Sequence, residues 1–225
     1  MGGVFKCCKM YVVTKKEKQQ ALEKLNAKWR RKDLPLKSVA TNDVPGEGNP
    51  DADILFVGEG PGKDEDEQGR PFVGAAGKFL NELIESIGYR REDVYIANMI
   101  KHRAPGNRDP LPPEIEAYAP WLDQQVAIID PKLIVTLGRY SLAHFLGENL
   151  SISKIHGQPK RRGGRVIMPM YHPAAALYRG DLRPILLADF AKIPKVLELI
   201  EAGGAVGDED KVTTEVIPDK QGALF

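Results

Sequence analysis

Four side chains stand out for the chemistry their types allow: Glu59, Glu65, Asn98 and His172. A carboxylate can orient water or offset developing positive charge. An amide donates and accepts at once, and an imidazole can donate to an oxygen on which charge collects. Each lies just after, or soon after, a short apolar run, at residues 54–57, 94–97 and 166–168. The first run breaks into Gly58-Glu59-Gly60-Pro61-Gly62, which only a tight turn accommodates. Asp64, Glu65, Asp66 and Glu67 follow, and the stretch closes on Arg70-Pro71-Phe72. Taken singly, each residue has a plain reading: a solvated carboxylate, a turn-forming Asn, a structural His. An acid, an amide and an imidazole at the ends of three strands point instead to one crevice, where open α/β sheets bind ligands.

The elements that must position these residues follow from periodicity. Residues 15–31 are good helix formers with Leu22, Leu25 and Trp29 on one stripe, ending before Pro35. Residues 37–52 read as a loop. A helix over 75–87 presents Phe79, Leu80, Leu83, Ile84 and Ile87, with Gly88 as its stop. Further helices are expected over 114–128, 140–146 and 183–202, the last kinked or broken at Pro194. Strands are expected over 54–57, 94–97, 133–137 and 166–168, with loops over 59–74 and 151–165. Strand and helix alternate, so the expected fold is α/β: a three-layer sandwich with a four-stranded parallel sheet flanked by helices. The expected divisions are an N-terminal tail and helix (1–36), the main domain (37–202) and a flexible C-terminal tail (203–225) without apolar period.

The chain has 225 residues, 42% hydrophobic and 28% charged, with a formal net charge of +1. No apolar run approaches the ~20 residues that span a bilayer, and no signal-peptide pattern opens the chain, so a cytoplasmic protein without membrane contact is expected. A nucleic-acid partner would need a local basic patch. Lys101, Arg103 and Arg108 form one candidate at the rim of the crevice, and Lys160, Arg161, Arg162 and Arg165 a second. Cys7 and Cys8 are adjacent and read as free thiols.

Three stretches, GEGPGKDEDEQGRPFVG, ANMIKHRAPGNR and YHPAAALYR, resemble the motifs of the family 4 uracil-DNA glycosylases of bacteria and archaea. They occur in that family's order and the likeness covers about residues 50–195. The resemblance implies removal of uracil from DNA by cleavage of the N-glycosidic bond. It places Glu59, Gly60 and Pro61 against the uracil and the scissile bond, and Glu65 near the reaction centre. Phe72 would stack on the uracil ring, Asn98 would read its edge, and His172 would contact a carbonyl. Residues 173–179, Ala176, Leu177 and Arg179 among them, match a loop that enters the duplex, with Leu177 as wedge. Which of Glu59 and Glu65 positions the water stays open.

The chain departs from that family at one feature. Members usually hold a [4Fe–4S] cluster through four cysteines, whose neighbourhoods here contain Arg31, Leu34, His102 and Tyr118. No metal and no cofactor are therefore expected, with Tyr118 and Leu34 filling the space. The terminal residues Gln221, Leu224 and Phe225 resemble peptides that dock on replication sliding clamps. A monomer is expected. Two other readings stay open: a catalytically weak scaffold that binds uracil or DNA, and a glycosylase for other deaminated bases.

Overall fold

The computed structural model describes residues 13–204 and 206. Cys7, Cys8 and the proposed clamp peptide (Gln221, Leu224, Phe225) lie outside them. In chain order the elements are α1 (Lys15–Arg30), β1 (Glu47–Gly48), β2 (Ile54–Gly58), α2 (Lys63–Gln68), α3 (Ala75–Ser86), β3 (Tyr95–Asn98) and α4 (Pro112–Ile129). They continue with β4 (Leu133–Leu137), α5 (Arg139–Leu146), α6 (Ile152–Ile155), β5 (Lys160–Arg162), β6 (Arg165–Met170), α7 (Pro173–Tyr178), α8 (Leu182–Phe190) and α9 (Ile193–Glu201).

One mixed six-stranded sheet runs β1-β3-β2-β4-β6-β5. Its inner strands β3, β2, β4 and β6 are parallel, while β1 and β5 are antiparallel at the two edges. The expectation of a sheet with four strands only is thus corrected. Both edge strands are too short and too polar to give a strand signal: Glu47–Gly48 has two residues, and β5 is Lys160-Arg161-Arg162.

Helices cover both faces of the sheet, so its central strands are buried throughout and read as unbroken apolar runs. Ile54, Phe56, Leu133 and Val135 pack on one side with α3, α8 and α9. Leu55, Val57 and Ile134 pack on the other with Leu22 of α1, Leu122 and Val126 of α4, and Leu142 of α5. A third apolar cluster joins α1 to α4, where the Trp29 and Trp121 rings stack at 5.7 Å.

Two local expectations are also corrected. The acidic stretch after β2 is not all loop, because residues 63–68 form α2, stopped by Gly69 at φ +67°. The residues expected to enter DNA as a loop form α7, whose N-cap is His172. The break expected near Pro194 is present: residues 183–202 divide into α8 and α9, with Pro194 in the first turn of the second, where its missing N–H costs nothing.

Candidate active site

The carboxyl ends of β2, β3 and β6 open into one pocket of about 190 Å³. Cavities for drug-sized molecules run to roughly 300–1,000 Å³, so this one suits a single small ring. Glu59, Gly60, Glu65, Phe72, Asn98, Arg108 and His172 all line it. The sequence also nominated residues that do not line it: Lys101, Arg103, Ala176, Leu177 and Arg179.

Asn98 ends β3 and is buried at 1% exposure. Its Oδ1 has no hydrogen-bond partner. A buried acceptor without a donor is costly, so such an atom at a pocket wall marks a place for a ligand N–H. The amide and the Phe72 ring both crowd Gly58: a Cβ there would lie 2.4 Å from Asn98 Oδ1 and 2.6 Å from the ring. Glycine at 58 is demanded by that approach.

His172 follows β6 and caps α7. Its Nδ1 accepts from the Ala174 backbone N–H at 3.1 Å, which places the proton of the neutral ring on Nε2. Burial lowers its pKa to about 4, so the ring is neutral near pH 7. The site therefore holds a neutral imidazole with a fixed N–H donor. The ring lies against Phe72 with centroids 5.5 Å apart.

The two glutamates differ sharply. Glu65 is tied down by backbone: its Oε2 accepts from Gly62 N at 3.1 Å, and its Oε1 from Val73 N and Gly74 N at 2.9 Å each. It staples the start of α2 to the turn that carries Phe72. Burial is the main cause that raises the Glu59 pKa to about 7, with nearby Asp109 adding to the rise and Arg139 opposing it. A carboxyl group of that kind changes charge near neutral pH and suits proton transfer or water orientation.

Lys101 was nominated for phosphate contact, and the structure corrects this. Its side chain is fully buried, and Nζ donates to Asn98 O and Gln125 Oε1, both at 2.7 Å. Burial lowers its pKa to about 7. Gln125 in turn donates to Pro45 O, so Lys101 anchors the end of β3 from behind. In the second basic cluster, Arg165 starts β6 and pairs with Asp130 before β4, at the end of the sheet away from the pocket.

Arg108 reaches the pocket but forks onto Glu114 at 2.6 and 2.9 Å. Arg103 donates to Asn107, itself a lining residue. On α7, Ala176 packs towards the core and Leu177 is half-exposed at 47%, while Arg179, just past the helix, pairs with Asp181. Sequence reasoning missed Ile100, Asn107 and the Asp109–Arg139 pair beside Glu59. Polar residues in the 101–110 loop were a signal for Asn107 and Asp109. Ile100 gave none beyond its apolar type.

Leu34 and Tyr118 are buried in the apolar cluster with Trp29, Ile100 and Trp121. The Tyr118 hydroxyl donates to Pro35 O and lies 2.6 Å from His102 Nδ1. This packed, hydrogen-bonded arrangement has no thiolate and does not fit a four-cysteine cluster. Among the described residues, no group of three or more His, Cys, Asp or Glu is placed to hold a metal ion.

A small pocket at the strand ends, with an unpartnered amide acceptor, a neutral imidazole donor and an aromatic wall, defines a protein that handles a planar polar ring. Comparison with known proteins names the class. The profile of the uracil DNA glycosylase superfamily matches residues 45–193, and the chain belongs to that superfamily. A type-4 uracil-DNA glycosylase of Sulfurisphaera tokodaii is 52% identical over 162 residues, 68% of this chain and 74% of the relative. The type-4 enzymes of Archaeoglobus fulgidus and Thermotoga maritima are 49% and 48% identical, covering 70% of this chain and 83% and 84% of their own lengths. It is with this type-4 branch that the chain groups.

Proposed function

We propose that this protein hydrolyses the N-glycosidic bond of uracil in DNA, leaving an abasic site for base excision repair. The observation that carries the reading is the buried, unpartnered Oδ1 of Asn98 in the pocket wall. It accepts from uracil N3–H while the amide nitrogen donates to a ring carbonyl. Cytosine has no N–H at that ring position and would leave the acceptor orphaned, a kind of mismatch that gives about 10⁴-fold discrimination.

Uracil must leave the base stack to reach this depth. Phe72 holds it by stacking, a contact worth ~1–3 kcal/mol per base. As the bond breaks, negative charge grows on the uracil and positive charge on the sugar. His172 Nε2–H donates to the carbonyl oxygen on which the negative charge collects. Glu59 orients the attacking water and offsets the oxocarbenium-like charge, as carboxylates do in glycoside hydrolysis. Its lack of backbone ties and its pKa near 7 favour it over Glu65, whose carboxylate is occupied by three N–H groups. Leu177 on α7 fills the vacated stack, and Arg103, Arg108 and Arg179 contact phosphates.

The enzyme works without an iron–sulfur cluster, with Tyr118, Leu34 and His102 in place of ligands. It acts as a monomer in the cytoplasm, and its terminal Gln221, Leu224 and Phe225 dock on a sliding clamp. The test is excision from a labelled duplex with one U·G pair, followed by alkaline cleavage. Wild-type strand cleavage that is lost in Asn98→Ala and His172→Ala supports the reading. No cleavage by a folded wild type overturns it, and duplexes bearing hypoxanthine or xanthine would then be tried.

A further inference from the structure

Phe72 has an unusual backbone for a stacking platform. Its φ is +51°, a left-handed conformation that an aromatic residue adopts only under external support. The turn is also squeezed from α3, since a Cβ on Gly77 would lie 2.0 Å from Phe72 O. Two charged groups hold it. On the N–H side, Glu65 accepts from Val73 and Gly74. On the carbonyl side stands Arg91, which lies just before β3 and outside the pocket.

Every N–H of Arg91 is used. Nη1 donates to Phe72 O at 3.1 Å and to Asn81 Oδ1 at 2.9 Å. Nη2 donates to Pro71 O at 2.5 Å and to Glu47 Oε1 at 2.8 Å, and Nε donates to the same oxygen at 2.9 Å. Arg70 grips the Glu47 carboxylate from the other side at 2.7 and 2.9 Å. The two guanidinium groups hold the Glu47 pKa below the usual carboxylate range despite its partial burial. A planar fork with five donors meets two adjacent carbonyls, an amide and a carboxylate, a set that lysine's point charge cannot span.

We infer that Arg91 is a positioning residue of the reaction: it holds residues 71–72 in the strained turn that aims the Phe72 ring at the extruded base. The inference rests on the uracil-excision reading above. It makes part of the pocket's grip on the base depend on a side chain that never touches it. Displacement of a contact by about 1 Å can cost 10²-fold in rate. Arg91→Met and Arg91→Lys should therefore each lower kcat/KM on the U·G duplex by about 10–10²-fold.

The deciding experiment is a double-mutant cycle in single-turnover excision, with thermal unfolding followed on each variant. If Arg91 acts through Phe72, then Arg91→Met in the Phe72→Ala background changes kcat/KM by no more than about twofold. Full additivity of the two losses overturns the inference. Arg70→Met, whose side chain meets Glu47 but no carbonyl of the turn, should keep activity within about twofold. An equal loss there overturns the inference as well, because a general charge effect would then suffice. If Arg91→Met does not fold, Glu47→Gln replaces it in the cycle with the same non-additivity expected. An inactive wild type overturns the excision reading and this inference together, whereas an active wild type with an additive cycle overturns this inference alone.

Discussion

The pocket and the α1–α4 contact are both built from buried aromatic and polar residues, yet they treat their polar atoms in opposite ways. At the α1–α4 contact, Tyr118 reaches Pro35 O and His102, and Trp121 Nε1 donates to Asn26. Trp29 Nε1 is the exception, buried without an acceptor, although Lys32 lies over its ring. In the pocket, Asn98 Oδ1 has no partner, Glu59 is held near its protonation point, and Phe72 sits in a strained backbone. A region that only has to hold together satisfies most of its polar groups within the chain. A region that has to bind keeps some of them for the ligand, at a cost in stability.

That contrast can be broken experimentally, most sharply at Glu59. Glu59→Gln should lower the excision rate by about 10²–10⁴-fold. The wild-type rate should rise as pH climbs through about 7, where the carboxyl loses its proton, and the variant should lose that limb. Stability should move the other way. The Glu59 pKa is raised in the folded state, so the native fold loses stability as pH rises from about 4.5 to about 7. Glu59→Gln should therefore be the more stable protein at pH 8, as thermal unfolding would reveal.

Asn98→Ala and His172→Ala should each cost about 10²–10³-fold in kcat. Asn98→Ala removes a buried unpaired acceptor, so its unfolding temperature should hold or rise. A large drop in stability would show that the amide is structural and the contrast false.

The α1–α4 contact should respond in reverse. Trp29→Ala should destabilise by about 3–5 kcal/mol and Tyr118→Phe, which strands Pro35 O, by about 1–3 kcal/mol. Both should leave kcat of the folded protein near wild type. Urea unfolding with activity measured on the same samples decides this.

The smallest effects separate the basic residues. Arg179→Ala, just past the exposed end of α7, should reduce the slope of log affinity against log salt by about 1. Lys101→Met should leave that slope unchanged, because its ammonium is walled in behind Asn98, and should instead lower excision as the Asn98 carbonyl loses its anchor.

Glu59, Asn98 and His172 were legible in the sequence because each sits where, or just after, a strand stops. Strand ends are local events, marked by an apolar run meeting Gly58, Asn98 or the Tyr171-His172-Pro173 step. Charged residues were legible by type only. Lys101 and Arg103 are two positions apart and look alike in the sequence, yet one is buried under α4 and the other reaches Asn107. Likewise Arg91 gave no signal, since its partners Glu47, Pro71, Phe72 and Asn81 lie 10 to 44 positions away.

The sequence by itself determined the alternation of strand and helix, the apolar faces, and which functional groups stand at the strand ends. These follow from short-range spacing and turn chemistry. Only the tertiary structure decided that Glu65 is a staple while Glu59 is free, that His172 is a neutral donor with its proton on Nε2, and that Phe72 is held from outside the pocket. Each of those depends on desolvation and on hydrogen bonds between segments distant in the chain, which come into being only when the sheet brings its strand ends together.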